Sequence, residues 1–337
     1  MSLLSICETA PVRPEGAERS RIEVLVRSIA YLAADIRSFE FVDPNGAQLP
    51  RFSAGAHVDV HLADGRIRQY SLCNDPAERH RYVVAVLRDE KGRGGSVAMH
   101  DRLRTGDRVT ISLPRNHFPL SDKAAHHVLL AGGIGITPVM SMIAALRARG
   151  ESFHLYYCTR SPERTAFLEE LRPLRAAGLA TVHHDDGKPA NSLDLKGVLA
   201  DYRPGTHLYY CGPAGFIDAV ERAAAAWPAG TRHCERFAAP PGAKAAPATA
   251  DTAFQIQLAS TGLEFTVPPG KTVVDVLEAN GIEVDVSCKE GYCGTCMTRY
   301  LEGQPLHRDS VLDEDDRQEF VMICCCRAQS GRLVLDL

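Results

Sequence analysis

Cys288-Lys289-Glu290-Gly291-Tyr292-Cys293-Gly294-Thr295-Cys296 reads C-x4-C-x2-C, and near the end of the chain Phe320-Val321-Met322-Ile323 leads into Cys324-Cys325-Cys326. Three thiols on one tight loop with a distant fourth have the plant-type spacing of a [2Fe–2S] cluster, in which four thiolates hold two irons. Gly291 and Gly294 suit a backbone that wraps closely around such a group and turns N–H groups toward its sulfurs. Structural zinc is the competing reading, but zinc loops favour paired C-x2-C knuckles. By strand alternation Cys325 points away from the side that Cys324 and Cys326 share. Cys324 is the expected fourth ligand and Cys326 the alternative.

The rest of the composition agrees with metal-held thiolates. The chain has 337 residues and 11 cysteines, an odd number, with six in the last 50 positions. A disulfide framework fits that poorly, and a reducing compartment fits better, so a cytoplasmic protein is expected. Met1 to Cys7 has no basic region and too short an apolar run for a signal peptide. With 45% hydrophobic and 24% charged residues the chain is ordinary globular protein. Its length suits two or three domains of roughly 100–200 residues each. A net charge of −4 argues against a nucleic-acid coat. That total hides an asymmetry: residues 252–337 carry 14 acids and 7 bases, net −7, and the remainder is net +3.

Upstream of the cysteine loop, residues 238–251 read AAPPGAKAAPATAD, the composition of a semi-extended linker. Before it, from 121 to 237, apolar runs (Val128-Leu129-Leu130, Phe153 to Tyr157, His207 to Tyr210) alternate with helical stretches at Met140–Arg149, Thr165–Ala176 and Gly215–Trp227. This βαβ rhythm predicts an α/β domain with a parallel sheet. After its first strand comes Gly132-Gly133-Ile134-Gly135-Ile136-Thr137-Pro138. The glycines let backbone approach a pyrophosphate, and the helix N-terminus that follows favours its charge. A second glycine turn, Cys211-Gly212-Pro213, follows another strand, where ligands bind in open α/β sheets. The uncharged stretch Val128 to Leu146 is long enough to span a bilayer. Its central glycines and Thr137-Pro138 make it a strand, a turn and a helix start instead.

From 21 to 120, short alternating runs separated by turns (Pro44-Asn45-Gly46, Ala63-Asp64-Gly65, Thr105-Gly106-Asp107) predict a small antiparallel β-barrel. Within it, Arg68-Gln69-Tyr70-Ser71 offers a guanidinium fork for phosphate, an aromatic face for a planar ring and a hydroxyl for the ring edge. Gly92-Arg93-Gly94-Gly95-Ser96 precedes a helical stretch, a second anion site at a helix start.

In order and content these motifs resemble the ferredoxin reductase superfamily. With a ferredoxin domain at the C-terminus, the chain is similar to the phthalate dioxygenase reductase family, which includes the reductases of vanillate demethylase systems. The resemblance covers residues 20–337 and implies three domains after an extension at 1–20. These are an FMN-binding barrel at 21–120, an NAD-binding α/β domain at 121–237 and, past the linker, an α+β (β-grasp) [2Fe–2S] ferredoxin domain at 252–337. Such proteins take hydride from NADH onto FMN and pass single electrons to a Rieske-type oxygenase. The resemblance assigns flavin contacts to Arg68, Gln69, Tyr70, Ser71, Val86, Leu87, Arg88, Gly94, Gly95, Ser96, Thr137 and Phe237. It assigns nucleotide contacts to Gly133, Ile134, Gly135, Cys211, Gly212 and Pro213, to which the reading of the glycine loop as a pyrophosphate site adds Gly132. Cluster ligands are expected at Cys288, Cys293, Cys296 and Cys324. Ser71 and Cys211 are expected near the reacting atoms as positioning groups, with no side-chain general base. An aromatic acid is the expected substrate of the oxygenase, and this chain is expected to be a monomer.

Two other functions compete. A stand-alone flavin or ferric reductase with a small acceptor would not need the ferredoxin domain. A redox sensor would not need two nucleotide motifs. Arg160 and Arg164 could bind the 2′-phosphate of NADPH, Glu163 argues against it, and the resemblance favours NADH. His183-His184-Asp185-Asp186 reads as a solvated loop rather than a metal site. Asp313 to Asp316 with Glu319 reads as a solvated face, with an acidic docking patch as its functional alternative. Trp227, Tyr209 and Tyr210 are expected in the core.

Overall fold

The computed structural model describes residues 21–238, 252–312 and 314–337; the expected extension at 1–20 and linker residues 239–251 lie outside them. The first unit is an antiparallel sheet of β1 (Arg21–Ala33), β2 (Ile36–Val42), β3 (His57–His61), β4 (Ile67–Ser71), β5 (Tyr82–Leu87) and β6 (Arg108–Ser112) in the order β4-β3-β6-β1-β2-β5. Its two edges meet through a bridge between Leu72 and Val84, which curls the sheet toward a closed barrel. Along β2, Ile36, Phe39 and Phe41 are buried while Arg37 faces solvent. Each such aromatic contributes roughly 1.5–3 kcal/mol by leaving water. The helix α1 (Gly95–Arg102) sits between β5 and β6 and is entered through Gly94, whose φ is +75°.

The second unit is a parallel sheet of β7 (His126–Gly132), β8 (Ser152–Thr159), β9 (Ala180–His184), β10 (Thr206–Cys211) and β11 (Arg232–Glu235), ordered β11-β10-β7-β8-β9. Its helices are α2 (Ile136–Arg149), α3 (Leu168–Ala176), α4 (Leu195–Leu199) and α5 (Ala214–Ala223). Every residue of β10 is buried, as a central strand covered on both faces must be. The expected helix boundaries shift for local reasons. Phe167 takes a φ of +62°, which delays α3 to Leu168. The chain leaves α5 at Ala223, before Trp227, whose buried ring donates Nε1–H to the Leu199 carbonyl at 3.0 Å. Among the described residues no helix is long and apolar enough to cross a membrane.

The third unit is a mixed sheet of β12 (Phe254–Leu258), β13 (Glu264–Val267), β14 (Met297–Leu306), β15 (Phe320–Met322) and β16 (Arg327–Leu335), ordered β13-β12-β16-β14-β15, with β12 parallel to β16. One helix, α6 (Val273–Ala279), covers it. A reciprocal capping box starts that helix: Asp275 N–H donates to Thr272 Oγ1 at 3.0 Å, and Thr272 N–H to Asp275 Oδ2 at 2.9 Å. Buried Val273, Val274 and Leu277 then meet Ile256 and Leu333 of the sheet.

Apolar packing joins the first two units and leaves the third to itself. Ala54, Cys73 and Ala85 of the barrel share one core with Leu129, Val139 and Leu155 of the parallel sheet. The core of the third unit draws only on residues from 254 onward.

Candidate functional site

Strand order reverses between β7 and β10, which is where open α/β sheets hold ligands. Both expected glycine turns lie there and press on one another. A Cβ on Gly135 would stand 2.3 Å from the Cys211 carbonyl oxygen and 2.7 Å from Gly212 N. Only glycine fits, so Gly132, Gly133, Ile134 and Gly135 form one lip of the crevice and Cys211, Gly212 and Pro213 the other. α2 and α5 begin at these lips without side-chain caps, which leaves first-turn N–H groups to meet an anion.

A cavity of about 360 Å³ opens beside this crevice. Arg68, Gln69, Tyr70 and Ser71 line it from β4, Val86 and Leu87 from β5, and Gly95 and Ser96 from the start of α1. Ile134, Thr137 and Phe237 line it from the second unit. Two expected residues stand off the wall. Gly94 turns the chain into α1, and Arg88 pairs outward with Asp101 at 2.5 Å and Glu90 at 3.5 Å. Arg68 donates from Nη2 to the Arg93 carbonyl at 2.9 Å, so its guanidinium lies along the loop that opens α1. An elongated ring with a phosphate tail fits this arrangement of apolar wall, aromatic face and cationic end.

One residue of this site escaped the sequence reading. Glu235 ends β11 directly beside Cys211, and Ser71 Oγ donates to its Oε2 at 3.4 Å. Burial pushes the Glu235 carboxyl up to about 8, against a smaller opposing pull from the Ser71 hydroxyl. Cys211 is fully buried, and burial holds its thiol well above its ordinary range, so it stays protonated rather than serving as a nucleophile.

The far wall of the cavity comes from the third unit. Cys288 and Cys293, with Tyr292 between them, line the same space as Arg68 and Ser71. The thiols of Cys293, Cys288, Cys324 and Cys296 lie within hydrogen-bonding reach of one another as a chain of pairs. Among the described residues no three His, Cys, Asp or Glu side chains converge on one ion-sized point. Thiols strung out in pairs suit a two-iron group better than a lone zinc. Gly294 takes a φ of +76° and lies under the His117 ring, where a Cβ would stand 2.5 Å from Nε2. Strand alternation does not reach the three consecutive cysteines, because β15 ends at Met322 and the chain then turns, with Cys325 and Cys326 N–H both donating to the Met322 carbonyl. The turn carries Cys324 to the other thiols. Cys324 Sγ reaches the thiols of Cys288, Cys296 and Cys325, whereas the Cys326 thiol, buried in the same apolar core, is held above its ordinary range chiefly by burial.

The remaining sequence candidates fall as follows. Trp227, Tyr209 and Tyr210 are buried. His183 and His184 bond to the Asn191 carbonyl and to Thr165 Oγ1. Arg164 pairs with Asp35 at 3.4 Å, and Arg160 is exposed. Glu314, Asp315 and Glu319 are exposed, while Asp313 lies outside the described residues.

Comparison with known proteins agrees with this geometry. The family described as "2Fe-2S iron-sulfur cluster binding domain" matches residues 256–329, and that described as "Dimethylamine monooxygenase subunit DmmA-like, N-terminal domain" matches 109–234. The chain is 47% identical to the tert-butanol monooxygenase / tert-amyl alcohol desaturase reductase subunit of Aquincola tertiaricarbonis, over 95% of this chain and 97% of that one. A solved structure of phthalate dioxygenase reductase, described as modular for electron transfer from pyridine nucleotides to [2Fe–2S], is 44% identical. It covers 94% of this chain and 98% of its own with a TM-score of 0.70. An intact type IV self-sufficient cytochrome P450 monooxygenase is 35% identical over 98% of this chain and 43% of that one, with a TM-score of 0.86.

Proposed function

This chain belongs to the phthalate dioxygenase reductase family, and on that footing we propose that it draws hydride from NADH onto FMN and delivers electrons singly, through a [2Fe–2S] cluster, to a Rieske-type oxygenase. It is an oxidoreductase with a flavin and a 2Fe–2S cluster, the reductase subunit of an oxygenase system. The observation that carries the electron path is the shared wall: Cys288 and Cys293 line the same cavity as Arg68, Tyr70 and Ser71.

Bound there, FMN supplies hydride acceptance and stepwise release of two electrons, and the cluster held by Cys288, Cys293, Cys296 and Cys324 supplies one-electron carriage. The residues position these groups. Arg68, with the N–H groups that open α1 at Gly95 and Ser96, holds the flavin phosphate. Tyr70 gives the ring an aromatic face. Gly132 to Gly135 receive the NADH pyrophosphate, which brings the nicotinamide toward Ser71 on the cavity wall, with Cys211 buried behind the crevice. NADH is favoured over NADPH by the family resemblance; of the two cations that could meet a 2′-phosphate, Arg164 also pairs with Asp35 at 3.4 Å. The oxygenase selects the substrate, since relatives named for phthalate and for tert-butanol share this reductase architecture. A stand-alone reductase would have no use for a wall of cysteines beside its flavin.

The test is an anaerobic NADH titration followed by absorbance and electron paramagnetic resonance, with the released flavin identified by chromatography. FMN and one [2Fe–2S] signal, both reduced by NADH, are expected. Bound flavin with no cluster signal would leave a stand-alone flavin reductase, and a cluster without flavin would overturn the reading of the cavity.

Glu235 adds a pH dependence. With its carboxyl raised to about 8, it is neutral at pH 7 and ionises as pH rises through that value. The new negative charge stands beside Ser71, where a hydride is to be accepted, and opposes the arriving negative charge. Flavin reduction by NADH should therefore slow severalfold between pH 7 and 9. Folding stability should decline in the same direction, from the ordinary carboxylate range up through pH 8. Glu235→Gln should flatten the rate profile. An inflection near pH 8 that survives in this variant would assign the titration to another group.

A further inference from the structure

We propose that Arg93 is the positioning residue that clasps the cluster domain against the flavin cavity. This rests on the reading above of what the two sites hold. The third unit meets the other two without a shared apolar core among the described residues. Polar contacts do the joining, and most converge on the cluster loop. Arg93 Nη1 donates to the Cys288 carbonyl at 2.9 Å and Nη2 to the Tyr292 hydroxyl at 3.0 Å, with Glu290 Oε1 at 3.5 Å. Gln69 Nε2 donates to the Cys293 carbonyl at 3.1 Å, and Arg115 Nη2 to Thr295 Oγ1 at 3.3 Å. Farther out, Arg21 pairs with Asp285 at 3.3 Å.

Gln69 ties the flavin strand to the Cys293 carbonyl, and Arg93 makes the corresponding tie at the phosphate end. Its backbone carbonyl accepts from Arg68, the guanidinium of the flavin motif, while its own guanidinium forks onto the backbone and side chain of the cluster loop. One residue thus ties the flavin phosphate end to the loop that carries Cys288 and Cys293. A planar fork spans two acceptors where a lysine ammonium would be a single point charge. Half-exposed ion pairs hold weakly, and polar junctions between domains ordinarily permit motion. The clasp is therefore strong enough to set a position and weak enough to open. Overall superposition does not follow identity among the solved relatives: 0.70 at 44% against 0.86 at 35%.

Each transfer across this junction takes one electron from the reduced flavin and adds one to the cluster. Two transfers account for one hydride, the cluster giving the first electron to the oxygenase before it takes the second, and the hydride's proton is released to solvent. The rate depends on holding the two centres close, because electronic coupling between them weakens with distance.

The test uses the full chain loaded with FMN and cluster. Arg93→Ala is compared with wild type by small-angle X-ray scattering and by stopped-flow reduction with NADH. Tyr292→Phe, on the opposite side of the joint, serves as the second variant. For Arg93→Ala a larger maximum dimension is expected, with cluster reduction slowed severalfold more than flavin reduction, since Arg93 also lines the flavin cavity. Tyr292→Phe should shift both readouts in the same direction by less. Wild-type scattering together with wild-type cluster reduction in Arg93→Ala would overturn the proposal. Flavin and cluster reduction slowed equally would also overturn it, because Arg93 would then act in the flavin site. If wild-type protein failed to pass electrons from flavin to cluster, the underlying reading would fall, and scattering would still report on the clasp alone.

Discussion

Protein carrying Cys324→Ser is expected to purify with its flavin and without its [2Fe–2S] signal. Cluster-dependent electron delivery should fall by about a hundredfold or more, since even neighbours of metal ligands cost 10–100-fold when removed. NADH should still reduce the flavin at its normal rate. The expectation follows from the turn after β15. Its thiol lies in reach of Cys288 and Cys296, and the Gly291 backbone N–H donates to its sulfur. Cys326→Ser is the matched control. It places a hydroxyl in an apolar core at a cost of roughly 1–3 kcal/mol, yet should keep the cluster. Absorbance and electron paramagnetic resonance of the two purified variants decide the matter. A cluster retained by Cys324→Ser and lost from Cys326→Ser would reverse the assignment.

Gly135→Ala should be the most damaging small substitution in the nucleotide crevice. The added Cβ would stand 2.3 Å from the Cys211 carbonyl oxygen and 2.4 Å from its carbon. These are backbone atoms, so no rotamer change relieves the clash. The two lips must part, at a cost of about 1–3 kcal/mol or more. The crevice then loses the geometry that seats the pyrophosphate, and the KM for NADH should rise by about tenfold or more, the factor that corresponds to about 1.4 kcal/mol. Gly215→Ala lies in the first turn of α5, just past the second lip, and has no atom within 4 Å of the added Cβ. It should change stability by no more than about 0.5 kcal/mol. Thermal unfolding and NADH kinetics on both variants test the contrast. Equal behaviour would mean that the lips are not in close contact.

Legibility in the sequence tracked how local each constraint is. The cysteine loop and the two glycine turns were readable because close backbone approach restricts residue type within a few positions. Gly135, in the turn after β7, and Cys211, at the end of β10, mark their contact by composition, although those strands are separated by two others in chain order. The flavin strand was readable for the same reason, with Arg68, Tyr70 and Ser71 adjacent along β4. Glu235 was not. Its role depends on Ser71, 164 positions away, and a glutamate at a strand end carries no local mark. Arg93 was visible only as part of a glycine-rich loop, because its partner Cys288 lies 195 positions on. Alternation along a strand set Cys325 apart from Cys324 and Cys326 for a reason that does not apply, since β15 stops at Met322 and a turn sets the direction of the thiols. The third unit's polar attachment had no counterpart in the sequence at all, because hydrophobic periodicity records what packs inside a domain and not what it leans against.

The most direct test of the electron path is anaerobic stopped-flow mixing with NADH, followed at wavelengths that separate flavin from cluster. Flavin absorbance should fall first, with cluster reduction following as a distinct slower phase, and protein stripped of FMN should leave its cluster oxidised. Cluster reduction that precedes flavin reduction, or that proceeds without FMN, would contradict the account.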